Sequence, residues 1–129
     1  MSVILASRAR FDPATARDVS ADVLAAPGCE AVDRADLCVY DVADRGGRPF
    51  LLASFHGDSD GRATLPVLAA VHRLARTRFP RHALVMGLVG GNNVAALADA
   101  GMGSCWRGQV RPPNSLGGCV IVVWLYCCC

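Results

Sequence analysis

Leu37-Cys38-Val39-Tyr40-Asp41-Val42 and Phe50-Leu51-Leu52-Ala53-Ser54-Phe55-His56 are two β-rich runs, separated by Asp44-Arg45-Gly46-Gly47-Arg48. Branched and aromatic residues favour strands, and a short link containing Asp and Gly closes two of them into an antiparallel hairpin. Side chains alternate along a strand, so Leu51, Ala53 and Phe55 share one face and Phe50, Leu52, Ser54 and His56 the other. Both faces begin apolar, which predicts a central strand covered on both sides. One face turns polar only at the C-terminal end, at Ser54, His56 and then Asp58. A strand that stays dry and then delivers polar groups at its tip is a candidate site.

Downstream of this hairpin, Gly57 to Ala63 reads as a loop and Thr64 as the N-cap of a helix, with Pro66 tolerated in its first turn. Leu65, Leu68, His72 and Ala75 recur at helical spacing, widened by Val71, and predict the buried stripe. Arg73, Arg76 and Arg78 complement the helix dipole near its end, and Phe79-Pro80 stops it. His82 to Gly87 predicts a third strand, Gly90-Gly91-Asn92-Asn93 a turn, and Val94 to Ala100 a short helix closed by Gly101. His72 reads as a core or boundary residue and His82 as exposed. Upstream, Val3 to Ala6 reads as a strand, Asp12-Pro13 as the start of a single turn, Val23–Leu24 as a short strand and Pro27-Gly28 as a turn. Val120 to Tyr126 has the composition of a further strand. Hairpin, helix, strand, helix is an α/β order with at least one crossover unit.

The chain has 129 residues, 53% of them hydrophobic and 19% charged, which excludes a disordered tail and leaves room for one domain or part of one. All 13 basic residues are Arg, all but one of the 11 acids are Asp, and the net charge of +2 excludes a strongly basic nucleic-acid arm. Residues 1–48 carry six Arg and eight acids, residues 49–111 seven Arg and three acids, and residues 112–129 no charge. Four of the seven Cys fall in that last stretch. The composition therefore divides the chain into a domain at 1–104 and an atypical, Cys-rich tail at 105–129, uncharged from residue 112 onward. Arg8 and Arg10 cut the first apolar run too short for a secretory signal, and no run is long enough for a membrane span. An odd number of Cys without regular spacing fits neither a disulfide framework nor a zinc site, so an intracellular, cytoplasmic setting is expected. The terminal Cys127-Cys128-Cys129 is not a prenylation box, because position 126 is Tyr, and lipidation of the triplet stays an alternative.

Two stretches carry chemistry. Ser54-Phe55-His56-Gly57-Asp58-Ser59-Asp60 places an imidazole and two carboxylates at a strand end, where they could bind a phosphate or a metal or exchange protons; the plain alternative is a solvated loop. A Ser54–His56–Asp58 triad is the poorer reading, since alternate strand positions lie about 7 Å apart and no Gly-x-Ser-x-Gly elbow is present. Gly87-Leu88-Val89-Gly90-Gly91-Asn92-Asn93, between strand and helix, could cradle a phosphate on backbone N–H groups or be a plain βα turn.

Taken together, these pieces resemble the middle of the endonuclease/exonuclease/phosphatase superfamily, the DNase I-like fold. Phe50-Leu51-Leu52-Ala53-Ser54-Phe55-His56 is similar to that family's strand ending in an Asn-Thr-His or related triplet. Ala83-Leu84-Val85-Met86-Gly87 is similar to the strand before its Gly-Asp-x-Asn motif. The resemblance spans about residues 1–100. It implies a partial DNase I-like sandwich with a mixed or antiparallel sheet and helices on one face. It also implies hydrolysis of a phosphate ester assisted by Mg²⁺, with His56 as a catalytic residue and Asp58 and Asn92 beside it. The chain departs from the family where Leu88 and Val89 stand near the expected Asp. The family's N-terminal Glu and C-terminal Asp-His motifs have no counterpart here. The resemblance therefore implies a truncated or divergent member with impaired catalysis. Two other readings stand beside it: a non-catalytic interaction module that offers an uncovered sheet face to a partner chain, and a fragment joined to a foreign C-terminus.

Overall fold

Alternation and turn chemistry make the hairpin. In the computed structural model, which describes residues 2–57, 62–89 and 121–122, β2 (Leu37–Ala43) pairs antiparallel with β3 (Pro49–His56). The Asp44 carboxylate accepts from the N–H groups of Gly46 and Arg48, both at 2.9 Å, and Gly47 takes a φ of 80°, which only glycine adopts without strain. β1 (Arg17–Asp18) adds antiparallel to β2 at one edge. On the other side, the chain leaves β3, passes through α2 (Thr64–Thr77) and returns as β4 (Ala83–Val89), parallel to β3. β5 (Ile121–Val122) pairs parallel with β4. The result is a five-stranded mixed sheet in the order β1-β2-β3-β4-β5, with β3 at its centre as its two-sided apolar pattern predicts.

Both α-helices among the described residues lie on one face. Leu37, Val39, Leu51, Ala53, Phe55, Leu84 and Met86 point there, against Val23 of α1 (Ser20–Leu24) and Val67, Val71 and Leu74 of α2. Burying side chains of this size contributes about 1.5–3 kcal/mol each before conformational entropy is charged against it. The opposite face carries Val42, Phe50 and Leu52, with Ala83 and Val85 beside them. The α/β class agrees with the order of elements read from the sequence, and of the mixed or antiparallel sheet that the resemblance implied the structure has the mixed one.

Several local expectations are corrected. Val3 to Ala6 forms no strand. It is part of a strap, residues 2–11, that runs irregularly to Ser7, turns at Arg8–Arg10 and lies over the second sheet face through Ile4 and Phe11, so that face is not bare. A short apolar run can pack by one side chain without joining a ladder. Val23–Leu24 is helical, not extended, because the Asp18 carboxylate accepts from both the N–H and the hydroxyl of Ser20 and starts the turn of α1 there.

In α2, Thr64 is the first helical residue and Ala63 takes the cap position, with no side-chain capping bond. The buried stripe is Thr64, Val67, Leu68, Ala70, Val71, Leu74 and Ala75. Leu65 is 55% exposed and His72 is exposed too. Seven residues apart, Leu65 and His72 share a side of the helix, and that side faces away from the sheet. Arg78 at the end of α2 pairs with Asp22 of α1. His82, expected at the surface, is half-buried because the turn into β4 sets its ring edge-on to Phe79, with 4.8 Å between ring centres.

Candidate functional site

Register positions the candidate site. The β2–β3 ladder pairs Leu37 with Phe55 and Cys38 with Ser54, so the next position places Asp36 opposite His56. Asp36 ends a short 3-10 turn, Arg34–Asp36, that Asp33 caps by accepting from the Ala35 N–H at 2.7 Å. His56 Nδ1 lies 3.4 Å from Asp36 Oδ1, at the outer limit of a hydrogen bond. The His56 side chain is 49% exposed and that of Asp36 34%. A carboxylate only accepts, so this contact favours the tautomer with hydrogen on Nδ1 and leaves Nε2 available as an acceptor. Gly57 follows as a buried residue, and the chain then enters α2 from the loop before Thr64.

Of the three residues expected in the site, the structure places His56 at a half-exposed strand tip. Asp58 and Asn92 lie outside the described residues, as does the tail at 105–129 apart from the backbone of β5. Asp36, which the chain brings to His56, was not anticipated. Its signal was available: the hairpin pairing that sets Val42 against Phe50 extends to Asp36 and His56 if no bulge intervenes.

The neighbouring side chains are quiet. Ser54 is buried. Burial, then the negative charge of Asp18, pushes the Cys38 thiol up, against hydrogen bonds with Ser54 that pull it down. Burial likewise raises the Cys29 thiol, with the Glu30 charge next. Both thiols stay protonated at neutral pH and neither is an activated nucleophile. At the other end of the sheet, Asp41 accepts from Arg17 at 2.9 Å and from His82 Nε2 at 3.0 Å. His82 Nδ1 is buried without a hydrogen-bond partner among the described residues. This second imidazole–carboxylate pair ties β2 to the turn before β4 and is more enclosed than the first.

Among the described residues, no group of three or more His, Cys, Asp and Glu side chains could hold a metal ion. Mg²⁺ takes several oxygens in octahedral geometry, and one carboxylate beside one imidazole does not supply that set. What the pair can do by itself is the work of an oriented imidazole: contact an anion or exchange a proton at Nε2. No family model, no curated protein and no solved structure matches this chain.

Proposed function

We propose that the chain is a divergent member of the endonuclease/exonuclease/phosphatase type with impaired catalysis, its residual activity directed at a phosphate ester at the tip of β3. The observation that supports it is the placement of His56. The imidazole stands at the C-terminal end of the central strand, half-exposed, with Nδ1 turned to Asp36 and Nε2 left for a ligand. In open α/β sheets, ligands bind outside the carboxyl ends of the parallel strands, which is where this pair lies. His56 would contact the phosphate and pass a proton to or from the ester oxygen, and Asp36 would hold the ring in orientation. Mg²⁺, when bound, would supply charge stabilisation on the phosphate; its ligands would have to include oxygens beyond Asp36. Asp58 and Asn92 remain the proposed neighbours of His56.

The test is hydrolysis of an activated phosphodiester, bis-p-nitrophenyl phosphate, by the full chain with and without Mg²⁺. Turnover is expected to need the metal and to fall by about 10²–10⁴-fold in His56→Ala, the range for losing a general acid or base. Asp36→Asn should leave the fold intact and slow turnover by less than His56→Ala does. Hydrolysis that is absent, or unchanged in His56→Ala, refutes the reading.

A further inference from the structure

The strap at residues 2–11 runs the length of β2. At one end the Ser2 N–H donates to the Ala35 carbonyl and its hydroxyl to that of Asp36. At the other, Phe11 bridges to Asp44 and the Asp12 N–H donates to the Ala43 carbonyl. Ile4 and Phe11 pack inward on Val42, Phe50 and Leu52. Leu5, after Ile4, turns outward and is 88% exposed; Val3, before it, is 48% exposed and also lines a cavity with Cys38, Tyr40, Val42 and Leu52. Lone exposed apolar side chains are ordinary; their company here is not.

Arg8 and Arg10 follow on the same strap, and the hairpin turn brings Arg45 and Arg48 beside them. The Arg45 N–H donates to the Arg10 carbonyl at 2.9 Å, and Arg45 Nε to the Arg8 carbonyl at 2.8 Å. Arg10 lies over the Phe11 ring and Arg48 over the Phe50 ring, 5.9 and 5.4 Å from their centres. Phe50 belongs to the second sheet face, so these two cations sit on the strap side. The nearby acids are engaged with backbone: Asp44 with the N–H groups of Gly46 and Arg48, Asp12 with that of Ala14. Among the described residues, none of the four arginines forms an ion pair with a carboxylate.

We infer that the strap side docks on the surface of an anionic lipid bilayer, with Val3 and Leu5 entering the headgroup region and Arg8, Arg10, Arg45 and Arg48 on the lipid phosphates. Guanidinium groups match phosphate oxygens in pairs, and an anionic leaflet attracts each basic residue at its surface. No helix among the described residues is long and apolar enough to cross a membrane. A nucleic acid would use the cations but leave Leu5 and Val3 in water. It would also want an aromatic face to stack on, whereas Phe11 and Phe50 meet each other edge-on at 5.3 Å. The inference does not depend on His56.

The experiment is sedimentation of the full chain with vesicles of phosphatidylcholine alone and of phosphatidylcholine mixed with phosphatidylserine. Binding is expected to the mixed vesicles only, to weaken with added salt, and to drop about fivefold for each arginine removed in Arg45→Gln and Arg48→Gln. Leu5→Ser and Leu5→Gln, which remove an exposed side chain and no charge, should weaken binding while circular dichroism stays that of the parent. Equal binding to both kinds of vesicle, or none to the mixed ones, overturns the inference. So does a folded Leu5→Ser chain that binds as the parent does, which would mark a plain polyanion site instead.

Discussion

Ser20→Ala tests the junction on which the first half of the domain turns. The Ser20 hydroxyl is buried at 2% residue exposure, donates to Asp18 Oδ1 at 2.6 Å and accepts from the Val39 N–H at 2.8 Å. Removing it leaves the N–H of Val39, a residue with no exposed surface, without that acceptor, at a cost of about 1–3 kcal/mol. Asp18 keeps its bond from the Ser20 N–H and is exposed to water, so losing the hydroxyl there costs about 0.5–1 kcal/mol. Alanine returns about 0.5 kcal/mol through its better helix propensity. The balance is about 2 kcal/mol, or about a 30-fold shift in the unfolding equilibrium and about 10 °C in Tm. Urea unfolding followed by circular dichroism measures it.

The same bond sets a pH dependence. The Asp18 carboxyl is held below its ordinary value of 3.8, first by the Ser20 hydroxyl and then by the Ser20 N–H. A depressed carboxyl contributes stability that is present above the unfolded value and lost as pH falls through the folded one. The parent's lead over Ser20→Ala should therefore be full at neutral pH and narrow once the pH drops below about 3.8. A loss under about 0.5 kcal/mol at neutral pH would refute the accounting, since an unsatisfied buried N–H cannot cost so little.

Two further predictions concern the packing of α2. Leu68→Ala, at a buried position, should cost about 2–5 kcal/mol, and Leu65→Ala, on the solvent side, under about 0.5 kcal/mol; equal costs in denaturant unfolding would mean that the helix is rotated from the phase described. Gly28→Ala should destabilise more than Gly47→Ala. Both glycines have positive φ, at a cost of about 1 kcal/mol each for alanine, but only at Gly28 does an added Cβ press on Pro66 of α2, at 3.1 Å, so thermal unfolding of the two variants isolates that contact.

Local chemistry was legible in the order of residues. The hairpin, its turn at Asp44 to Arg48, the two-sided burial of β3 and the crossover through α2 rest on alternation, on β-formers and on glycine where φ is positive. Each of these acts within a few residues and needs no distant partner. Where the expectations failed, two segments competed for one surface. The stripe containing Leu65 and His72 has helical spacing, yet Val67, Val71 and Leu74 give a better-matched face to the sheet. Val3 to Ala6 has a strand's composition, yet β1 already occupies the edge of β2, so the run lies across the face instead.

Only tertiary structure joined Asp36 to His56, Arg8 and Arg10 to the hairpin turn, and Asp41 to His82. Those pairs are 20, at least 35, and 41 residues apart in the chain. Strand pairing and packing bring them together, because register is set by the whole ladder and by which apolar faces must meet. An alternating pattern says which side a residue takes, and its partner across the sheet is decided by the fold.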